Sequence, residues 1–236
     1  MKYQLETIPV HDAWAENVPC PLCTLLARAE ERHVRYYLGN SVMNPETRLL
    51  VNATGFCSRH FPMMREANRA HHLGLVGHTH LQQRRKELRS SLKSLKSGSG
   101  AAARDFARKV QKKTQECLIC HSMERDAERY AYTAVILLST EDEFQQLFQK
   151  ASGPCLPHAA MLAEMGAQVL GKKERKFVLS QLSDHLDQSL EQLEADVLRF
   201  TQKFDAQNDG MDWGNSRDAH ARTVQALSGV PVRLDD

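Results

Sequence analysis

The sequence predicts an all-α protein: an internally duplicated helical bundle with two metal-pinned helical hairpins and a folded-back C-terminal tail. Three observations carry that prediction. Apolar residues recur at helical spacing along most of the chain, every cysteine belongs to a short paired motif, and the paired motifs occur twice at a nearly constant interval.

The longest helical signal lies near the C-terminus. Leu179, Leu182, Leu186, Leu190, Leu193, Val197, Phe200 and Phe204 follow one another at steps of three or four residues, which makes a continuous apolar stripe. Leu25, Leu26, Ala29, Val34, Tyr37 and Leu38 recur at helical spacing earlier in the chain, as do Met123, Ala127, Tyr130, Ala134 and Leu138. Leu81, Leu88, Leu92 and Leu95 form a shorter stripe inside a basic run. Strand patterning is confined to Tyr3–Val10 and Leu49–Asn52.

The six cysteines and two of the histidines form the motifs CPLC (Cys20, Cys23), GFCSRH (Cys57, His60), CLIC (Cys117, Cys120) and GPCLPH (Cys155, His158). Cys20 and Cys117 are 97 positions apart, and Cys57 and Cys155, like His60 and His158, are 98 apart. Arg28, Glu31 and Arg32 return as Arg125, Glu128 and Arg129 at the offset of 97. The chain therefore reads as a duplication, with a first metal-binding repeat over 1–95, a linker over 96–104, a second repeat over 105–204 and a C-terminal clasp over 205–236. Within each copy, a CxxC turn and a CxxH turn about 35 residues on would close one tetrahedron once a helical hairpin brings them together. Three thiolates and one imidazole form a closed structural zinc set, with no vertex left for a substrate. Gly55 and Gly153 suit a turn of unusual backbone angle before each third cysteine. Pro62 and Pro157 suit the first turn of a helix that starts there.

Other chemistries fit less well. Buried free thiols would not require complete pairing and repetition. A thioredoxin-like dithiol needs a βαβ context that is missing here. CLICH, from Cys117 to His121, spells the haem-attachment pattern, but that reading leaves Cys155 and His158 without a purpose. An iron–sulfur cluster can use the same ligands and stands as the alternative to two zinc ions. The glycine-containing stretch from Gly98 follows a basic helical pattern rather than a strand, so it reads as linker and not as a dinucleotide loop.

Composition bounds the class. With 236 residues, 42% hydrophobic and 25% charged, the chain is that of a soluble globular protein. The opening MKYQLETIPVHDAW has no apolar run suited to a signal peptide, and no apolar stretch reaches roughly 18 residues. A cytoplasmic location and no membrane partner are expected. Residues 84–113 carry 11 basic and 2 acidic groups, whereas 114–236 carry 12 basic and 20 acidic. The basic stretch could meet nucleic acid, although Phe106 is its only aromatic and a solvated helix explains it at least as well. His71 and His78 lie on one helical face of a histidine-rich segment and mark a possible secondary site, against the plainer reading of a polar face with one buried imidazole. In the tail, Trp213 would anchor a clasp, Asn215 or Ser216 would cap a helix from Arg217 to Leu227, and Gly229 would stop it. No HExxH, GxxxxGK[ST] or GxSxG motif occurs.

The opening YQLETIPVHDAW, the four paired motifs, the HTHL stretch and the tail FDAQNDGMDWGNSRDAHARTVQALSG together resemble an uncharacterised bacterial family, the domain-of-unknown-function 6062 family, over essentially the full chain. The resemblance implies a bacterial, cytoplasmic, helical protein and carries no activity with it. The basic insert around 84–113 is longer than that family leads one to expect. The residues thus favour a non-enzymatic metal-binding protein with an unknown protein partner. An iron–sulfur redox protein and a metal- or thiol-responsive regulator are the rival classes.

Overall fold

Among the described residues every regular element is helical, because strong helix formers and helical apolar spacing dominate nearly every segment. The structure, a computed structural model, describes residues 6–231. In chain order the helices are α1 (Thr7–Ala15), α2 (Pro21–Tyr37), α3 (Pro45–Thr54), α4 (His60–Glu66), α5 (Ala70–Leu95), α6 (Gly100–Gln115), α7 (Leu118–Thr140), α8 (Asp142–Lys150), α9 (Leu156–Val169), α10 (Lys172–Gln202) and α11 (Ala219–Ser228).

Local chemistry sets several helix ends. Asn44 Oδ1 accepts from the backbone N–H groups of Glu46 (2.8 Å) and Thr47 (3.1 Å), and Pro45 fills the first position of α3. That cap makes Leu49–Asn52 helical where a strand was one expectation. The other weak strand signal falls on α1 from Thr7 onward, and its beginning, Tyr3 to Leu5, lies outside the described residues. Gly229, at φ 70°, stops α11 as expected. The helix starts two residues later than the sequence suggests, with Asp218 rather than Asn215 or Ser216 at the N-cap position.

The chain clusters into two compact units, residues 1–28 with 126–236, and residues 29–125. The boundaries fall inside α2 and α7. The first unit packs α1 on α8, with Trp14 against Phe144 at 5.4 Å, and places α10 against α9 and α11. Phe144, Phe148, Leu137 and Val178 are fully buried there. Of the long stripe on α10, Leu182 is buried and Leu179 to Phe200 are half-buried, whereas Phe204 lies past the helix end and is 71% exposed.

The second unit is built on Val34, Tyr37, Leu38, Val51, Phe56 and Met64, with Tyr37 and Phe61 each edge-on to Phe56. Residues 100–104, expected in a linker, form the first turn of α6, since Ala101 to Ala103 are the strongest of helix formers. A turn at 96–99 separates α6 from α5, and the two helices pack together. This turns part of the leucine pattern outward. Leu81 is 67% and Leu92 46% exposed, while Ser91 is buried and accepts from Lys109 Nζ at 3.2 Å.

Candidate metal centres

Both CxxC motifs sit at helix starts. Cys20 directly precedes α2 and Cys117 directly precedes α7. There the unpaired N–H groups and the positive end of the helix dipole favour thiolate over thiol. Both CxxH motifs follow a glycine with positive φ, Gly55 at 80° and Gly153 at 81°, and run into α4 and α9. Pro62 and Pro157 lie in the first turns of those helices, as the sequence suggests. The glycine bend turns the third cysteine back, and the helix start presents the histidine one turn further on.

The eight ligand candidates form two groups, but each group joins the CxxC of one expected repeat to the CxxH of the other. Cys20, Cys23, Cys155 and His158 come together in the first unit, and Cys57, His60, Cys117 and Cys120 in the second. Ligation within each copy, with each CxxC joining the CxxH about 35 residues on, is therefore corrected, and with it the picture of a hairpin pinned at its base. Helix lengths give the reason. At 1.5 Å per residue, α2 carries the chain about 25 Å from the first CxxC before the CxxH that follows α3, and α7 carries it about 34 Å from the second before the CxxH at the start of α9.

Within each group the four ligand atoms lie within 4.8 Å of one another. In the first, His158 Nδ1 stands 3.5, 3.4 and 3.1 Å from the sulfurs of Cys20, Cys23 and Cys155, and Cys23 and Cys155 are 3.7 Å apart. In the second, His60 Nδ1 stands 3.3, 3.2 and 3.4 Å from Cys57, Cys117 and Cys120, and Cys57 and Cys120 are 3.8 Å apart. Backbone N–H groups also point at sulfur, from Cys155 to Cys20 (3.4 Å) and from Cys120 to Cys117 (3.5 Å).

The electrostatics are those of acids competing for one centre. Burial pushes Cys117 up, but hydrogen bonds with His60 and with the backbone of Cys120 and Cys57 together outweigh it and bring the thiol to about 6. Burial and the neighbouring Cys117 push Cys120 up to about 12. Burial opposes charge on His60, yet hydrogen bonds with Cys117 and Glu30 raise it to about 10; His158 rises to about 9 through Cys155 and Cys20 against the same penalty. Cys20 is lowered by Cys155 and Cys23, and Cys23 is raised by Cys155 and Cys20. A divalent cation at the centre would replace these shared protons, so such a group would bind metal by releasing them.

The two groups differ in their surroundings. All four members of the first are buried, and its outer side carries the tail, with Gly229 O 3.4 Å from Cys23 Sγ. In the second, Cys57 and Cys120 are half-exposed. Among the described residues only this second group has a carboxylate behind its histidine: His60 Nε2 donates to Glu30 Oε1 at 2.9 Å, and Arg59 donates to Glu30 Oε2 at 2.9 Å. That partner fixes the tautomer that leaves the Nδ1 lone pair facing the thiols. Burial pushes Glu30 up, but His60 and Arg59 hold it below the usual carboxylate range. Glu30→Gln is expected to weaken metal at this group about 10- to 100-fold and to leave the other group unchanged, as measured by chelator competition.

Sequence reasoning passed over Glu30, and no motif marks it; at the offset of 97 the second copy has Ala127. His71 and His78 are exposed and belong to neither group. The inward imidazole of that segment is His80, whose Nδ1 lies 3.0 Å from Val51 O. Trp213 packs against Phe200 and Phe204, and Arg199 holds the Asp212 carbonyl at 3.0 Å, so the tail is fastened to α10.

Fold and site together define an all-helical protein with two four-residue cysteine–histidine groups that could each hold a metal ion. The chain belongs to a family of unknown function (DUF6062), which it matches over residues 1–233. No curated protein and no solved structure matches it. Among the described residues no helix is long and apolar enough to cross a membrane.

Proposed function

We propose that this is a non-enzymatic protein with two structural zinc ions, one closing each compact unit, which presents its surface to a partner. The observation that carries this is the sulfur spacing of 3.7 and 3.8 Å. Tetrahedral zinc, with Zn–S of about 2.3 Å and Zn–N of about 2.0 Å, sets its sulfurs about 3.8 Å apart and sulfur to nitrogen about 3.5 Å. A polynuclear iron–sulfur cluster would place its thiolates on separate irons and so further apart, which favours a single ion over a cluster. Four protein ligands fill the shell, and this supports a structural rather than a catalytic metal.

The local likeness of the groups supports an origin by duplication. Each has a CxxC at the start of a long helix and a CxxH after a glycine near φ 80°. Ligand pairs exchanged between the copies are what two strand-exchanged subunits would leave after fusion into one chain. A reducing, cytoplasmic setting fits six unpaired cysteines. The partner is a protein; the exposed basic residues of α5 and α6 keep nucleic acid as the second candidate.

Metal analysis of anaerobically purified, untagged protein is expected to give two zinc ions per chain and no iron. Iron with acid-labile sulfide would overturn the zinc reading, and metal-free protein of unchanged thermal stability would overturn both.

A further inference from the structure

We infer that this chain self-associates by docking the basic outer face of α5 in one copy against the acidic outer face of α10 in another. Charge is strongly segregated along the sequence. Residues 29–125 carry 18 basic and 8 acidic groups, and the rest of the chain carries 13 and 21. Opposite fields of this kind steer association when they lie on the surfaces that meet.

On α5, Arg85, Arg89 and Lys93 follow one another at steps of four, and Lys96 stands three residues further on, at the C-cap. That spacing puts all four on one face of the helix. All four are exposed, and none forms an ion pair among the described residues. The one acid of the stretch, Glu87, is taken by Arg84 at 2.8 Å and by Gln83 at 2.7 Å. Leu81, one turn before Arg85, and Leu92, one turn before Lys96, border the stripe and are exposed.

The outer face of α10 is the reverse. Asp184, Asp187, Glu191 and Glu194 follow at steps of three, four and three, on the side away from the buried Val178, Leu182 and His185. All four are exposed and without an ion pair among the described residues; Asp184 accepts only from Ser180 Oγ, at 3.4 Å. No lysine or arginine occurs from Asp184 to Glu194. Phe177 and Leu198, both exposed, extend this face at its two ends. Like charges one turn apart repel, so each stripe weakens its own helix and an opposing stripe relieves both.

A basic stripe alone would suit any polyanion. What singles out a second copy is that the same chain carries the complement, with four charges against four and a length of about 15 Å against about 16 Å. Laid antiparallel, so that the helix dipoles also attract, Lys96 meets Asp184, Lys93 meets Asp187 and Arg89 meets Glu191, while Arg85 falls within one residue of Glu194. One exposed ion pair contributes little, so the contact depends on several acting together and on the apolar residues at its margins. No aromatic residue occurs from Arg85 to Lys96, which leaves a nucleic acid no ring on which to stack its bases. The inference rests on the partner-binding reading and is independent of which metal fills the two centres, so metal content and oligomeric state fail separately.

The test is sedimentation of the full-length protein at about 0.01 M and about 1 M salt, where the Debye length is about 30 Å and about 3 Å. A mass above that of a single chain is expected at low salt, with Kd below about 100 μM, and a single chain at high salt. Arg89→Glu with Lys93→Glu, and separately Asp187→Lys with Glu191→Lys, should each weaken self-association at least about tenfold, because each sets like charges against one another. These are exposed helix positions, where substitution leaves the fold intact. Mixing the two variants should restore association, since one keeps α10 unchanged and the other keeps α5. All four substitutions in one chain should restore it as well. The inference is overturned if the protein is a single chain at low salt, if either pair of substitutions leaves association unchanged, or if mixing does not restore it. A short DNA duplex that binds at low salt, is lost with Arg89→Glu and Lys93→Glu, and meets a protein that stays a single chain would assign the α5 face to nucleic acid and overturn it too.

Discussion

Cys23→Ser combined with Cys155→Ser is expected to cost one metal ion per chain, whereas Cys23→Ser combined with Cys57→Ser costs both. The two pairs are chemically identical substitutions and differ only in grouping: Cys23 and Cys155 share a centre, 3.7 Å apart, and Cys57 belongs to the other. Ligation within each copy predicts the reverse outcome. The effect on folding should be large. A structural zinc in a small domain contributes about 10–16 kcal/mol of apparent binding free energy, comparable with the about 5–15 kcal/mol by which whole domains are stable. The first double variant should thus lose amide protection in residues 126–228 and keep it around Val34, Val51 and Met64, whereas the second loses both. Insoluble variants do not remove the test. In cadmium-substituted wild-type protein, couplings from one ¹¹³Cd resonance should reach the Cys20, Cys23 and Cys155 side chains. A resonance coupled to Cys20, Cys23 and Cys57 together would refute the crossed arrangement.

The members of the two cysteine–histidine groups were legible in the sequence because metal chemistry demands particular residue types at short spacing, and short spacing survives whatever the fold does at long range. The glycine bends were legible for the same reason, and Gly55 and Gly153 both take the positive φ that their position before a third cysteine suggests. Pairing was not, since it is decided by where long helices end. No short motif records it: 17 residues of α2 against 10 of α3, 23 of α7 against 9 of α8, and the residues between the helices together set where each CxxH arrives. A polar cleft between α10 and the tail was missed differently. On α10 the leucine stripe drew attention from a second stripe of the same rhythm, His185, Ser189, Gln192 and Asp196, whose polar members are half or wholly buried except for Gln192. A polar residue kept on a packed helix face at helical spacing is a signal, but only contact with the tail says what it faces. Glu30 carries no such signal, because nothing local relates it to His60.

Glycine-to-alanine substitutions should separate by sign, and the sign is a strict test of the turns that build both centres. Gly55 sits at φ 80°, ψ −154°, a region essentially reserved for glycine and costing other residues on the order of 1–3 kcal/mol. An added Cβ would also stand 2.4 Å from His80 Cε1, and that ring is held by Val51 O at 3.0 Å, so it cannot swing clear without losing its bond. At Gly153 the Cβ meets Ser189 Oγ at 2.5 Å and Ser189 Cβ at 3.1 Å, the latter fixed by the α10 backbone. Each substitution is expected to destabilise by at least about 3 kcal/mol, combining backbone strain with overpacking, and to lower metal occupancy at its own centre alone. Gly77→Ala on α5 should do the opposite. Nothing lies within 4 Å of its Cβ position, and removing a glycine from a helix interior gains about 0.5–1 kcal/mol. Ser189→Gly puts a glycine inside α10 and carries its own cost, so Ser189→Gly with Gly153→Ala, compared with Ser189→Gly alone, should recover the steric share and leave the backbone share, which divides the two causes. Denaturant unfolding of the five variants measures all of this, and a Gly55→Ala or Gly153→Ala protein as stable as the wild type would mean the bends are not as described.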